Sequence, residues 1–242
     1  MKSVESLKKE LKELSSPEKA RILSGFFKTG EGQYGEGDVF LGITVPDERK
    51  VAKKYKHLTL SEIQELLSSR IHEHRLTALF ILIYRYNKSD RDNKKRIFDF
   101  YLKNIRSVNN WDLVDLSAYM ILGDYIVNKL NHRKILYRFA KSRNLWERRI
   151  SIIATFAFIR KNRFEETLEI SKLLLKDDHD LIHKAVGWML REVGKRDIKT
   201  EERFLKNNYQ NMPRTTLRYA IERFSKEKKL YYLRKQTIRK NV

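Results

Sequence analysis

Apolar, helix-forming segments recur along this chain at nearly even spacing, and that periodicity restricts the fold more than any single motif. They open near Glu73 (EHRLTALFILIY), Trp111 (WDLVDLSAYMIL), Trp146 (WERRISIIATFAF), Leu181 (LIHKAVGWMLREV) and Pro213 (PRTTLRYAIERF). Successive starts lie about 30–40 residues apart, the range of helical-pair repeats. A more amphipathic stretch precedes each one, at 60–67, 94–103, 132–141, 164–175 and 201–208. Each repeat therefore reads as an antiparallel helix pair. Such pairs cannot bury their apolar faces alone, so the expected architecture is an all-α solenoid of stacked pairs, with outer helices on a convex side and inner helices lining a concave, basic groove. Helices at 3–14, 17–27 and 46–55 are expected to cap the N-terminal end, with Pro17 and Pro46 in their first turns. The whole chain, 1–242, reads as one domain: caps and a loop over 1–58, about five repeats over 59–233, and a basic tail over 234–242 that frays after Leu233.

Composition supports the class. Only three prolines occur, and alternating β-branched runs bounded by turns are missing. Five of the nine glycines fall between Gly30 and Gly42, in TGEGQYGEGDVFLG, which is the one long loop expected. It lacks the GxxxxGK[ST] order of a nucleotide-binding loop. The absence of cysteine excludes disulfides, cysteine-ligated zinc and iron–sulfur clusters, and fits a reducing, cytoplasmic compartment. The opening segment MKSVESLKKELKEL alternates charges around helically spaced Val4, Leu7, Leu11 and Leu14, so it reads as a folded helix and not a signal peptide. The longest apolar stretch, from Leu76 to Tyr84, is roughly half the ~20 residues that span a bilayer, and no membrane segment is expected. Lys and Arg number 52 against 31 Asp and Glu, a formal charge of +21. An excess this large repels itself unless a polyanion neutralises it, which makes nucleic acid the first candidate partner.

Conventional catalytic sets are absent. His179 and His183 lie four apart, but without the glutamate of HExxH they make a poor zinc site. His72 and His74 read as solvated or capping residues. No GxSxG occurs, and there is no thiol nucleophile. The more informative group is Trp111, Asp115 and Trp188, with Arg148 or Arg149. Asn110 is a good N-cap, Trp111 then opens a helix, and Asp115 falls one turn later on the same face, about 5–6 Å away. Arg148 and Arg149 occupy the first turn of the next inner helix, and Trp188 the second turn of the one after. Stacking in register is expected to bring these side chains to the groove. Equally, the tryptophans could be core packing and Asp115 a charge favourable to a helix N-terminus.

The ordered set NNWDLVD, LWERR and HKAVGWMLRE resembles the DNA alkylation repair family of HEAT-like repeat DNA glycosylases, and FFKTGEGQYGEGDVFLGITVPDERKVAKKY resembles the segment that opens many members. The resemblance spans nearly the whole chain. It implies a DNA repair enzyme that hydrolyses the N-glycosidic bond of cationic N3- or N7-alkylated purines in double-stranded DNA, without a cofactor or metal. It also implies that Asp115 is the catalytic carboxylate and that Trp111 and Trp188 hold the lesion. The family's arginine falls at Arg149 or Arg148, and its N-terminal aromatic at Phe26, Phe27 or Tyr34. Lys184, Arg191 and Arg214 are expected to contact the DNA backbone. A monomer is expected, and the alternative function is non-catalytic recognition of damaged or branched DNA.

Overall fold

The computed structural model describes residues 3–238. Among the described residues regular structure is helical, and the one pairing of extended backbone is an isolated parallel bridge between Val39 and Ile71. No helix among them is long and apolar enough to cross a membrane.

Helix starts follow the cap chemistry written in the sequence. Ser3 caps α1 (Val4–Glu13) and exchanges bonds with Ser6. Ser16 caps α2 (Pro17–Phe26), and α3 (Val45–Lys54) also carries its proline in the first turn, where a missing N–H costs nothing. Thr59 and Glu62 form the reciprocal capping box of α4 (Leu60–Leu67). After α4 come α5 (His72–Lys88), α6 (Arg91–Lys103), capped by Asp90, and α7 (Trp111–Ser117). These helices make up the first of two compact units, Met1–Ser117. Its core is α5, which buries 13 of its 17 residues. A helix buried on every side must be enclosed by its neighbours, and α3, α4, α6 and α7 all pack on it.

The second unit, Ala118–Val242, opens with a π-helical turn, Tyr119–Gly123, in which the Gly123 N–H reaches back five residues to the Ala118 carbonyl at 2.9 Å. The sequence pattern predicts an ordinary α-helix there. The short α8 (Asp124–Ile126) follows, then α9 (Lys134–Ala140), α10 (Leu145–Ala154), α11 (Phe156–Ile159), α12 (Glu165–Leu174), α13 (Asp180–Gly194), α14 (Ile198–Asn208), α15 (Arg214–Ala220) and α16 (Lys226–Ile238). Helix α13 is the centre of this unit and carries α10, α12, α14 and α15. Three expected pairs pack directly, α4 on α5, α9 on α10 and α12 on α13. Instead of fraying after Leu233, α16 runs on to Ile238. Nothing in KEKKLYYLRKQTI breaks a helix, and Tyr232 is buried against Tyr209 and Phe224, with ring centroids 5.4 and 6.0 Å away. Residues 239–242 of the expected basic tail lie outside the described residues.

The backbones of α13 and α15 approach each other at Gly187. A Cβ there would lie 2.5 Å from both the Thr216 carbonyl oxygen and the Tyr219 Cβ. Replacing glycine by alanine inside a helix ordinarily stabilises by about 0.5–1 kcal/mol, and here the overlap reverses the sign. Gly187→Ala is expected to lower stability by about 1–3 kcal/mol. Gly25→Ala, where the new methyl meets open space, should raise it slightly. Urea unfolding of the two variants reads the difference, and a Gly187→Ala protein as stable as wild type would contradict this packing.

Candidate functional site

The first turn of α5 buries four ionisable residues in a row, His72, Glu73, His74 and Arg75. Reading the histidines as solvated or capping residues from sequence is incorrect: the N-cap of α5 is Ile71, and both imidazoles are inside. Burial is tolerated because each charge has partners. Glu73 accepts the backbone N–H groups of Leu41, Gly42 and Ile43, pinning the end of the glycine-rich loop. His72, 2% exposed, bridges two carboxylates, with Nε2 at 2.8 Å from Asp112 and Nδ1 at 3.2 Å from Asp38. Asp38 also accepts from Arg75 at 2.6 Å and from the Asn110 side-chain amide at 3.1 Å.

Burial alone would lower the His72 pKa, but Asp112 and Asp38 outweigh it and hold it at about 9, so the ring is an imidazolium at neutral pH. Burial likewise works to raise the Asp38 pKa, yet His72, Arg75 and Asn110 keep it below its ordinary value. His74 goes the other way. Burial first, then Lys8 and Arg75, push it down to about 4, and its Nδ1 meets the Ser69 hydroxyl at 3.0 Å. Glu48 of α3 is buried nearby, and burial together with the charges of Glu73 and Asp112 raises its pKa well above the usual carboxylate range.

Rings are layered on this charged base. Phe40 stacks on His72 with centroids 4.6 Å apart, and Phe27 lies 5.0 Å from the same imidazole. Trp111 stacks on Phe27 at 5.0 Å and only 5° from parallel, and Phe26 meets Trp111 edge-on at 5.8 Å. The Trp111 backbone N–H is held by the Asn110 side chain at 2.8 Å. Trp111 is therefore fixed from both sides, its backbone through Asn110 and Asp38 and its ring through Phe27 and His72. Of the N-terminal aromatics, Phe27 is buried, Phe26 is 62% exposed, and the Tyr34 hydroxyl donates to the Phe26 carbonyl at 3.4 Å. Gly35 has to be glycine, since a Cβ would fall 2.3 Å from the Phe27 carbonyl oxygen. Trp111 and Asp115 are both half-buried on α7 and one turn apart.

In the second unit, Trp188 of α13 lies at the end of a run of half-buried rings. Phe156 is 6.4 Å from it, and Tyr119, on the π-helical turn, is 5.1 Å from Phe156. The Trp188 indole N–H donates to Glu192 at 3.0 Å. Arg149 is 5% exposed and donates to the Leu181 carbonyl, whereas Arg148 is paired with Asp177. Lys184 pairs with Asp180 at 2.7 Å on the surface, and Arg191 with Glu222. Arg214 is exposed and donates to the Leu233 carbonyl. His179 caps α13, its Nδ1 accepting from the Leu181 N–H at 3.1 Å. Among the described residues no cluster of His, Asp and Glu could hold a metal ion.

Asp38, Glu73, Arg75 and Asp112 are the site residues that sequence reasoning missed. The run HEHR at the head of an otherwise apolar helix was the available signal, because four ionisable residues there must either break the helix's burial or find partners.

These helix-pair units and their ring clusters define an all-α repeat protein with an aromatic, charge-supported surface. Residues 7–224 match the sequence profile of the family described as DNA alkylation repair enzyme, and the chain belongs to that family. Two solved structures are similar in fold. One is titled "Predicted DNA alkylation repair enzyme from Enterococcus faecalis", with a TM-score of 0.69, 18% identity, and coverage of 88% of this chain and 97% of that one. The other is AlkD2 from Streptococcus mutans, with a TM-score of 0.52, 20% identity, and coverage of 89% and 98%. No curated protein sequence matches this chain.

The His72 bridge makes stability depend on pH. Its folded pKa lies above the unfolded value of 6.5, so its contribution is complete below pH 6.5 and is lost as pH rises through about 9. That contribution is about 3 kcal/mol at one pKa unit per 1.36 kcal/mol. Glu201, pushed up to about 8 by burial, loses its own contribution over a lower window, but this cancels when two variants are compared. The stability difference between wild type and His72→Gln should therefore shrink between pH 6.5 and pH 10 in calorimetric melts. A constant difference would mean that the imidazole is neutral.

Proposed function

We propose that this protein is a DNA glycosylase that removes cationic N3- or N7-alkylated purines from duplex DNA. The observation that carries the reading is a carboxylate, Asp115, one helical turn beyond an indole that is locked in place from behind. An alkylated purine of this kind already bears a positive charge, so its glycosidic bond is weakened and the base leaves neutral. No general acid is needed. What the enzyme supplies is a negative charge beside the developing oxocarbenium-like sugar, which Asp115 provides electrostatically. Water adds to the anomeric carbon, the base departs with the bonding electrons, and the proton of the water passes to Asp115 or to solvent.

The aromatic surfaces fit the other half of the task. In the first unit Trp111 offers a π face to a cationic nucleotide, worth about 0.5–2 kcal/mol, and in the second unit Trp188 offers a further π face to DNA. Phe26 is the exposed N-terminal ring, so it lies against the nucleotide in this reading while Phe27 supports Trp111 from inside. Lys184, Arg191 and Arg214 grip phosphates. For Lys184 this means exchanging Asp180 for a phosphate, and an exposed ion pair of that kind is worth only about 0–1 kcal/mol. Non-catalytic binding of damaged or branched DNA is the second reading. It is favoured by the arginines, because Arg148 is engaged by Asp177 and Arg149 is almost wholly buried.

Incubating the purified protein with methylated DNA and scoring free alkylbase separates the two readings. Asp115→Asn is expected to cut base release by about 10²–10³-fold, the usual cost of losing one preorganised electrostatic partner, while duplex affinity stays unchanged. Release at the wild-type rate by Asp115→Asn would remove this carboxylate from the mechanism. Duplex affinity should also fall by about 10³-fold or more between 50 and 200 mM salt, as phosphate contacts demand. A flat salt dependence would instead favour a protein-binding scaffold.

A further inference from the structure

The first unit contains a hollow at the opposite end of α5 from the His72 and Trp111 cluster. Its volume is about 470 Å³, within the range of small-molecule sites. The 16-residue step from His72 to Lys88 sets the two ends of α5 about 24 Å apart. Four cations line the hollow: Lys56 beyond α3, Arg85 and Lys88 from the last turn of α5, and Arg96 from α6. No carboxylate is among its lining residues.

Several cations elsewhere in this unit are matched, with Lys8 on Glu65, Lys54 on Glu10, Lys95 on Asp99 and Arg75 on Asp38. Around the hollow they are not. Among the described residues Lys56, Lys88 and Arg96 have no carboxylate partner. Arg85 is aimed by a bond to the Leu58 carbonyl at 2.6 Å, which leaves the rest of its guanidinium available. The nearest acid in sequence, Asp90, is occupied in capping α6 through Asn93. Gathering like charges around a concavity raises the local potential and concentrates anions there.

The remaining wall is not that of a bare anion site. Tyr84, Leu60 and Ile97 give it an apolar side, and Ser89 and Asn93 add neutral polar groups. The Tyr84 ring also has the Lys53 ammonium 6.0 Å from its centre. An aromatic face beside a group of cations suits a planar base joined to phosphates.

We propose that this hollow is a binding site for a phosphate ester of nucleotide size, with the phosphates on Arg85, Lys88, Arg96 and Lys56 and the base against Tyr84. The phosphate has two possible sources, a free nucleotide or the 5′-phosphorylated end of a DNA strand. Binding here is separate from base excision and is measured without any alkylated DNA, so failure of the glycosylase reading leaves it untouched.

The test is calorimetric titration of the full-length protein with inorganic pyrophosphate, ADP and a short 5′-phosphorylated single strand. Wild type should bind at least one probe saturably at a single site, and a nucleotide probe more tightly than pyrophosphate. Lys88→Glu and Arg96→Glu lie on the surface and should keep the wild-type melting temperature, yet weaken binding at least 10-fold each. Tyr84→Ala should bring the nucleotide probe down to the pyrophosphate level. Saturation by ADP assigns the site to free nucleotide; saturation by the phosphorylated strand alone assigns it to DNA ends. The proposal is overturned if no probe saturates below millimolar concentration, or if both charge reversals bind as wild type does.

Discussion

Four ionisable side chains in succession begin the most deeply buried helix of the first unit, and the surrounding structure is arranged to answer them. An unpaired charge inside a protein costs several kcal/mol, more than any single apolar contact returns. The chain meets this cost by drawing in groups from distant positions: Asp38 and three backbone amides from the glycine-rich loop, and Asp112 from the head of α7. Once those partners are in place, the loop and the start of α7 are both tied to α5. The orientation of Trp111 follows, because its neighbours Asn110 and Asp112 are members of the network and its ring is stacked through Phe27 onto His72. The exposed aromatic surface is thus positioned by charge compensation beneath it.

The second unit is organised by close backbone packing. Gly187 lets α15 lie against α13, and Gly123 brings the π-helical turn up to the Ala154 carbonyl. Its buried acids also have a purpose beyond packing. Asp177 holds Arg148 and Glu166 holds Arg133, while in the first unit Asp38, Glu48, Glu73 and Asp112 are all withdrawn from solvent. The net charge of +21 is thus an excess that remains after these internal pairs are made, which suits a protein of a DNA repair family.

Much of the secondary structure was legible, because it is local. Period-3.6 apolar spacing, the caps at Ser3, Ser16, Thr59 and Asp90, and the prolines at 17 and 46 each act within a few residues of themselves. Trp111 and Asp115 were legible for the same reason, being one turn apart on one helix. The support beneath them was not. The bond from Asn110 to Asp38 spans 72 residues, and that from His72 to Asp112 spans 40, so neither leaves a periodic trace. His72 and His74 were misread because a histidine flanked by Glu and Arg looks solvated until its partners arrive from elsewhere. The π-helical turn was also hidden, since YMILG offers no propensity signal that separates it from an α-helix.

The glycine-rich loop is clamped along only part of its length. From Gly35 to Ile43 it is held by close backbone approach, by Asp38 and by Glu73, and Gly42, at a φ of 84°, lies so near the first turn of α2 that a Cβ would sit 2.3 Å from the Ser16 carbonyl oxygen. Gly30, Glu31, Gly32 and Gln33 are all exposed. Insertions or an affinity tag could therefore be accommodated at those four positions, whereas a single extra residue a few places later would throw the α5 charges out of register. The same protein thus carries a tolerant splice point within about ten residues of one of its least forgiving ones.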